Sequence, residues 1–302
     1  MKIYTINKEK LSEVHEKPHK LESEIQKVFE DNLDILMGLT LVRSEFTIKS
    51  KRIDTLAFDK LTKAFIIIEY KRDKNISVID QGFTYLGLML ENKDFFIAEY
   101  NEKLKQNLKR IDVDWTQTRV AFVSPSFTEN QVLATNFKDI AIELWEVKRF
   151  ENNTIVINEV KKSRSAESIK PITQQNKELK RVTDEIVVYS EDEHISNLTE
   201  ELIELYEKFR NAILNLDDGL LVKPQKQYIA IKKDNTNIAC LEVQKKRLKI
   251  FVGAKKGALN DSKGIAKDVS TIGHYGTGDY EIHATDDSEL EYIMSLIKQV
   301  LK

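Results

Sequence analysis

Two carboxylates and an amine in the first quarter of the chain could do chemistry together. Glu69 and Lys71 end the run Ala-Phe-Ile-Ile-Ile-Glu-Tyr-Lys (64–71), whose Phe and Ile content predicts a buried strand. With a period of two, their side chains share one face with Phe65 and Ile67. Residues 52–58, Arg-Ile-Asp-Thr-Leu-Ala-Phe, read as the preceding strand. Closing the hairpin through residues 60–63, with Asp59 facing Ala64, sets Asp54 opposite Glu69, Leu56 opposite Ile67 and Phe58 opposite Phe65. A slip of one residue would turn Asp54 to the other face and dissolve the group.

Two acids side by side on an apolar face are costly unless something cationic neutralises them. One lysine leaves an excess of negative charge. A divalent ion would supply the rest, and hard oxygen donors with open water positions suit Mg²⁺, with Mn²⁺ able to substitute. The expected metal ligands are Asp54, Glu69 and the Tyr70 carbonyl. Lys71 would orient or deprotonate a water and stabilise charge on a pentavalent phosphate, the recipe for metal-assisted phosphodiester hydrolysis. Arg52 and Arg72 flank the group and would suit phosphate contacts.

The elements around these residues read as α/β. An apolar helical period runs from Leu21 to Met37, and a second helix spans about 77–90. Further strands are expected at 119–123, 141–147 and 154–160, with a short helix around 129–137.

In this order, the segments RIDTLAFD, FIIIEYKRDKN and VIDQGFTYL resemble the PD-(D/E)xK nuclease superfamily, in the branch of RecB-like nucleases and archaeal-type mismatch endonucleases. The resemblance covers roughly residues 15–150. It implies a restriction-endonuclease-like mixed sheet flanked by helices, and a Mg²⁺-dependent nuclease acting on DNA in repair or defence. It matches Asp54, Glu69 and Lys71 to the metal-and-water core. It also matches Glu22 to an assisting acid on the first helix, Gln81 to the helix glutamine, and Tyr85 to a tyrosine beside it, expected with Arg52 and Arg72 to bind substrate. Ile53 stands where the motif has Pro. Glu45 is a weaker candidate than Glu22. Related nucleases often work as dimers, so a homodimer is compatible with the resemblance. The alternative is a nuclease-fold binding or adaptor protein without turnover.

The rest of the 302 residues bounds these readings. With 41% hydrophobic and 32% charged residues and a net charge of −2, the chain has enough apolar content for packed cores. No stretch approaches the roughly 18 apolar residues of a membrane span, and the N-terminus lacks a secretory run, so a cytoplasmic protein is expected. A single cysteine, Cys240, leaves no disulfide or thiolate zinc framework and reads as a core residue. The five histidines have no paired metal spacing and read as surface or packing residues. The glycine-rich stretch at 273–278 reads as a tight connection.

Residues 161–183 are polar and aperiodic and read as a linker between a nuclease-like domain (1–160) and a small α+β domain (184–302). In the second domain a helix is expected at 198–213, strands at 228–231, 238–243, 248–252 and 280–283, and a closing helix from 288. Residues 184–218 hold eleven acids and two bases, whereas residues 223–267 hold twelve bases and three acids. Such segregation could present a basic surface to nucleic acid, or the acidic helix could neutralise the basic strands.

Overall fold

The computed structural model describes residues 2–72, 77–163, 165–234 and 236–301. Residues 73–75 of the nuclease-like motif and Arg164 of the expected linker lie outside the described residues. The chain divides into two compact units, Met1–Val188 and Tyr189–Lys302.

The first unit opens with a separate hairpin, β1 (Ile3–Asn7) and β2 (Lys10–Val14), followed by α1 (Glu22–Glu30) and α2 (Leu33–Met37). Next come β3 (Thr40–Ile48), β4 (Lys51–Asp59), β5 (Ala64–Tyr70), α3 (Val78–Glu91) and α4 (Lys93–Leu104). The unit closes with β6 (Arg119–Ser124), α5 (Glu129–Thr135), β7 (Ile142–Arg149), β8 (Ile155–Glu159), α6 (Lys170–Thr173) and α7 (Lys177–Glu185). Strands β3 to β8 form one mixed sheet in sequence order. The steps from β5 to β6 and from β6 to β7 are parallel and the others antiparallel. Each parallel step needs a crossover, which α3–α4 and α5 supply.

Strand β5 is buried along its whole length because helices cover both faces. On one face, Phe65 and Ile67 join Val120, Phe122 and Ile142 beneath Val78, Leu86 and Met89 of α3. On the other, Ile66, Ile68 and Tyr70 pack with Ile25 and Phe29 of α1. Gly82 lets α3 lie close on the sheet, since a Cβ there would stand 2.3 Å from Ile142 Cδ1. This is the α/β architecture expected.

Two expectations are corrected. The helical period from Leu21 is split, because α1 ends at Glu30 and α2 starts at Leu33. Residues 161–183 are no free linker. Although mostly polar, the stretch from 161 to 188 buries Ile169, Val182 and Ile186 in the first unit's core, with Leu179 and Val188 packed against it and Ile172 left exposed. Asp139 accepts the Ile169 N–H at 2.8 Å, and Gln117 donates to the Val187 carbonyl at 2.8 Å.

The second unit has α8 (Glu191–Ile195), α9 (Glu200–Leu214), β9 (Leu220–Pro224), β10 (Ile229–Lys233), β11 (Thr236–Gln244), β12 (Arg247–Val252), β13 (Lys267–Asp268), β14 (Tyr280–Ala284) and α10 (Leu290–Lys298). Its sheet, ordered β13-β14-β12-β11-β10-β9, is antiparallel throughout. α9 and α10 pack on one face through Leu205, Phe209, Ile293 and Ile297. Cys240 is buried as expected. The glycine-rich connection runs tight against the sheet: Gly278, with φ +105°, lies so near the Val252 carbonyl that no Cβ fits. Among the described residues, no helix is long and apolar enough to cross a membrane.

Candidate active site

The antiparallel ladder between β4 and β5 has the expected register, from Asp59 opposite Ala64 through Phe58–Phe65 and Leu56–Ile67 to Thr55 opposite Ile68. It stops one pair short of Asp54 and Glu69. The β3–β4 ladder pairs Ser44 with Thr55 and Phe46 with Ile53, yet omits Glu45 and Asp54 between them. Glu45 takes a left-handed backbone, φ 42°, an uncommon state for a non-glycine residue. Strict alternation also fails here, since Ile53 and Leu56 enter the same core. Asp54 therefore sits at a local break in β4.

Its polar groups find partners off the ladder. Asp54 Oδ2 accepts the Tyr70 N–H at 3.0 Å, and its carbonyl accepts Gln26 Nε2 at 3.1 Å. Gln26 is 8% exposed, and the same nitrogen reaches Ser44 Oγ at 3.1 Å and Glu30 Oε1 at 3.0 Å. Thr55 Oγ1 also donates to Glu30. Glu22, Gln26 and Glu30 stand four apart on α1, a polar stripe along one helix side. That spacing was the signal for Gln26, which reading the motif alone passes over.

Glu69 is 4% exposed. Its Oε1 accepts both Lys71 Nζ at 2.6 Å and Gln81 Nε2 at 2.8 Å. The same Gln81 nitrogen donates to the Tyr85 hydroxyl at 3.1 Å, and that hydroxyl donates to the Arg52 carbonyl at 3.0 Å. Two acceptors on one side fix which end of the Gln81 amide carries its hydrogens. Ser77 Oγ caps the helix that carries Gln81 by accepting the Asp80 N–H.

Glu22, on the exposed start of α1, is tied in through its Oε1, which accepts the Arg72 N–H at 3.0 Å. Burial and the Glu69 carboxylate push the Asp54 carboxyl up to about 6; Glu22 adds to the rise, while the Tyr70 N–H and Lys71 oppose it. The four charged side chains expected together thus act on one another.

The remaining candidates stand differently. Tyr85, expected at the substrate, is 4% exposed and spends its hydroxyl on Arg52 and Gln81, so it braces the site from within. Burial, with Glu69 nearby, drives its phenol well above the usual tyrosine range. Arg52 and Arg72 are exposed at the rim. Arg52 pairs with Glu45 at 2.7 Å, and Arg72 Nη1 donates to the Lys20 carbonyl at 2.9 Å. The Tyr70 side chain is fully buried against Phe29 on the opposite face, so its main chain, not its phenol, is the group offered to an ion.

Among the described residues, no three His, Cys, Asp or Glu side chains form a metal-holding group. The expected set differs in kind, being two carboxylates and a backbone carbonyl. One observation fits it to a hard cation: Glu69 Oε2 is buried without a hydrogen-bond partner. A carboxylate oxygen left bare beside a second acid is what a divalent ion would satisfy.

A family profile described as "Domain of unknown function (DUF5655)" matches residues 191–300. The chain is 53% identical over 302 residues, all of both chains, to an uncharacterized protein of Haemophilus influenzae (strain ATCC 51907 / DSM 11121 / KW20 / Rd). Among solved structures, it is similar to a repair endonuclease from Pyrococcus abyssi at 19% identity and TM-score 0.22, over 39% of this chain and 43% of that one. It is similar to EndoMS in apo form at 16% identity and TM-score 0.26, over 39% and 43% of the two chains. For the EndoMS–dsDNA2 complex the values are 16% identity and TM-score 0.22, over 40% and 47%. The chain spans less than half of each of these structures.

Proposed function

This chain belongs to the family of the Haemophilus influenzae protein that it matches from end to end, and we propose that its first unit hydrolyses phosphodiester bonds of DNA by PD-(D/E)xK chemistry. The observation that carries the reading is the state of Glu69. One of its oxygens holds Lys71 and Gln81, while the other is buried with no partner. That bare oxygen lies beside the Asp54 carboxyl, where a divalent ion would satisfy it.

Mg²⁺ or Mn²⁺ would be held by Glu69, Asp54 and the Tyr70 carbonyl, and would supply Lewis acidity and a more acidic water. The chain's own groups do the rest. Lys71 Nζ carries a positive charge to the same point and can donate to a phosphate oxygen as negative charge builds there. Gln81 keeps Glu69 from rotating, and Tyr85 keeps Gln81 in place. The Tyr70 N–H fixes Asp54 Oδ2, and the second oxygen of that carboxyl would be the one offered to the ion. Glu22, anchored on the Arg72 N–H, would be the acid that assists the water. The exposed Arg52 and Arg72 can meet the flanking phosphates.

The test is direct. The purified chain with Mg²⁺ or Mn²⁺ should nick or degrade single-stranded, duplex, branched or mismatched DNA. Asp54→Ala and Lys71→Ala should each lower the rate by at least a hundredfold. If wild type and Lys71→Ala are indistinguishable on all these substrates and on RNA, the nuclease reading fails and a silent adaptor takes its place.

A further inference from the structure

The second unit separates its charges across its sheet. The outward side of α9 carries Glu200, Glu201, Glu204 and Glu207, all exposed, while its apolar side packs on the sheet. Alternation along the strands sends Ile229, Leu241, Ile250 and Ile282 toward the helices. Residues of the opposite parity, among them Lys249 and Arg247, emerge on the other face. The acidic helix therefore does not blanket the basic strands. Lys233 does reach Asp217, at 2.6 Å. Lys249 and Lys256 instead pair with Glu281 and Asp268, outside the acidic segment.

Loops pack on that outer face at one end, while at the other Tyr228 adds to the same cluster and His194 of α8 meets the Gln225 carbonyl at 2.7 Å. Val269 packs with Ala230, Cys240 and Phe251, and His274 stacks on Phe251 at 5.0 Å. The other end is bounded by two turns, 225–228 and 245–246, which the register places side by side. Here Lys226, Lys245 and Lys246 are exposed, with Arg247 and Lys249 behind them on β12. Asp287, near the same end, is taken by Lys208 at 2.8 Å. Gln225 and Gln227 stand among the bases and can offer neutral donors to phosphate and sugar oxygens, whereas Gln244 already donates to Glu242 at 2.6 Å and accepts from Arg247 at 2.9 Å.

We propose that this basic end of the second unit's sheet binds the phosphate backbone of a nucleic acid. The choice of nucleic acid over other polyanions rests on the nuclease reading; the surface itself does not. Clustered exposed lysines beside amides, without a broad apolar patch at the two turns, suit a backbone read by charge rather than a lipid bilayer or an apolar helix.

The experiment uses the full chain in EDTA, so that nothing is cut, with labelled single-stranded and duplex DNA followed by fluorescence anisotropy across a salt series. Lys245→Glu/Lys246→Glu should weaken binding at least tenfold at low salt. It should also flatten the salt dependence by about one to two in log–log slope, roughly 0.9 for each lost phosphate contact. Lys255→Glu/Lys298→Glu makes the same charge change at exposed positions away from that end, near where the Asn260 N–H meets Gln299, and should stay within about twofold of wild type. Equal losses in the two variants would overturn the proposal, as would unchanged binding in the first. So would wild type that binds anionic vesicles but neither DNA at low salt. Asp54→Ala tested alongside separates the readings: loss of cutting with binding intact leaves both standing, and absence of cutting in wild type removes the nuclease reading alone.

Discussion

The backbone N–H of Tyr70 donates to Asp54 Oδ2 at 3.0 Å, beyond the last paired position of the β4–β5 ladder. A carboxylate side chain thus does what a backbone carbonyl would do in a longer hairpin. The strands can part at this point without leaving that N–H unsatisfied. The same bond holds Asp54 close to Glu69, and the resulting repulsion is the stress a cation would relieve.

That stress has a pH signature in metal-free protein. The Asp54 carboxyl titrates near 6 in the fold, against 3.8 for its ordinary value. The folded state therefore binds this proton more tightly than the unfolded state. Stability from it is full below about pH 4 and is lost as pH rises through about 6. Asp54→Asn keeps the size and an acceptor for Tyr70 but removes the titration. In EDTA the variant should gain on wild type from pH 4 to 6 and level off above, by at most about 3 kcal/mol at 1.36 kcal/mol per pH unit, less for residual solvent screening. Denaturant melts across this range measure the difference, and a gap independent of pH would contradict it.

Divalent ions should reverse that cost. Mn²⁺ or Mg²⁺ at about a hundred times its dissociation constant should stabilise the wild type by about 2.7 kcal/mol. The shift should vanish in Asp54→Ala and Glu69→Ala, while Lys71→Ala should keep it, since Lys71 is not one of the expected ligands. Calorimetry of the metal-titrated protein reads this without any substrate. A shift that survives loss of both acids would place the ion elsewhere.

Gln26 is buried with three acceptors around one nitrogen, and one of them is the carbonyl of Asp54. Gln26→Leu should cost about 1–3 kcal/mol, because it leaves buried acceptors bare. It should also lower turnover with little change in KM, because Asp54 loses its anchor but no surface is altered. Ser44→Ala, which touches Gln26 without touching Asp54, should lower stability and spare turnover.

The register that brings Asp54, Glu69 and Lys71 together was legible because β5 is a short apolar run with one tight turn before it, and period two leaves few choices. The break at Asp54 was not, because it depends on β3. Glu45 adopts φ 42° and pairs with Arg52, a tertiary outcome with no local signature in Arg-Ser-Glu-Phe-Thr. The linker expected at 161–183 misled for another reason. Its average composition is polar, yet Ile169 and Val182, with Ile186 just beyond, suffice to seat the segment on the core. A composition average hides an amphipathic segment whose apolar side is only a few residues wide.

Tyr85 offers the sharpest contrast between the motif reading and the geometry. A tyrosine at the substrate would affect binding, whereas the observed phenol is 4% exposed and links Gln81 to the Arg52 carbonyl. Tyr85→Phe keeps the ring in its apolar seat and removes one hydroxyl. The Arg52 carbonyl then lacks its donor and Gln81 lacks an acceptor, so stability should fall by about 1 kcal/mol. Turnover should fall several-fold because Gln81 no longer holds Glu69 in one orientation. KM and DNA affinity in EDTA should match wild type, because nothing that faces solvent has changed. A raised KM with unaltered turnover would instead return Tyr85 to the substrate and require the helix edge to open in solution.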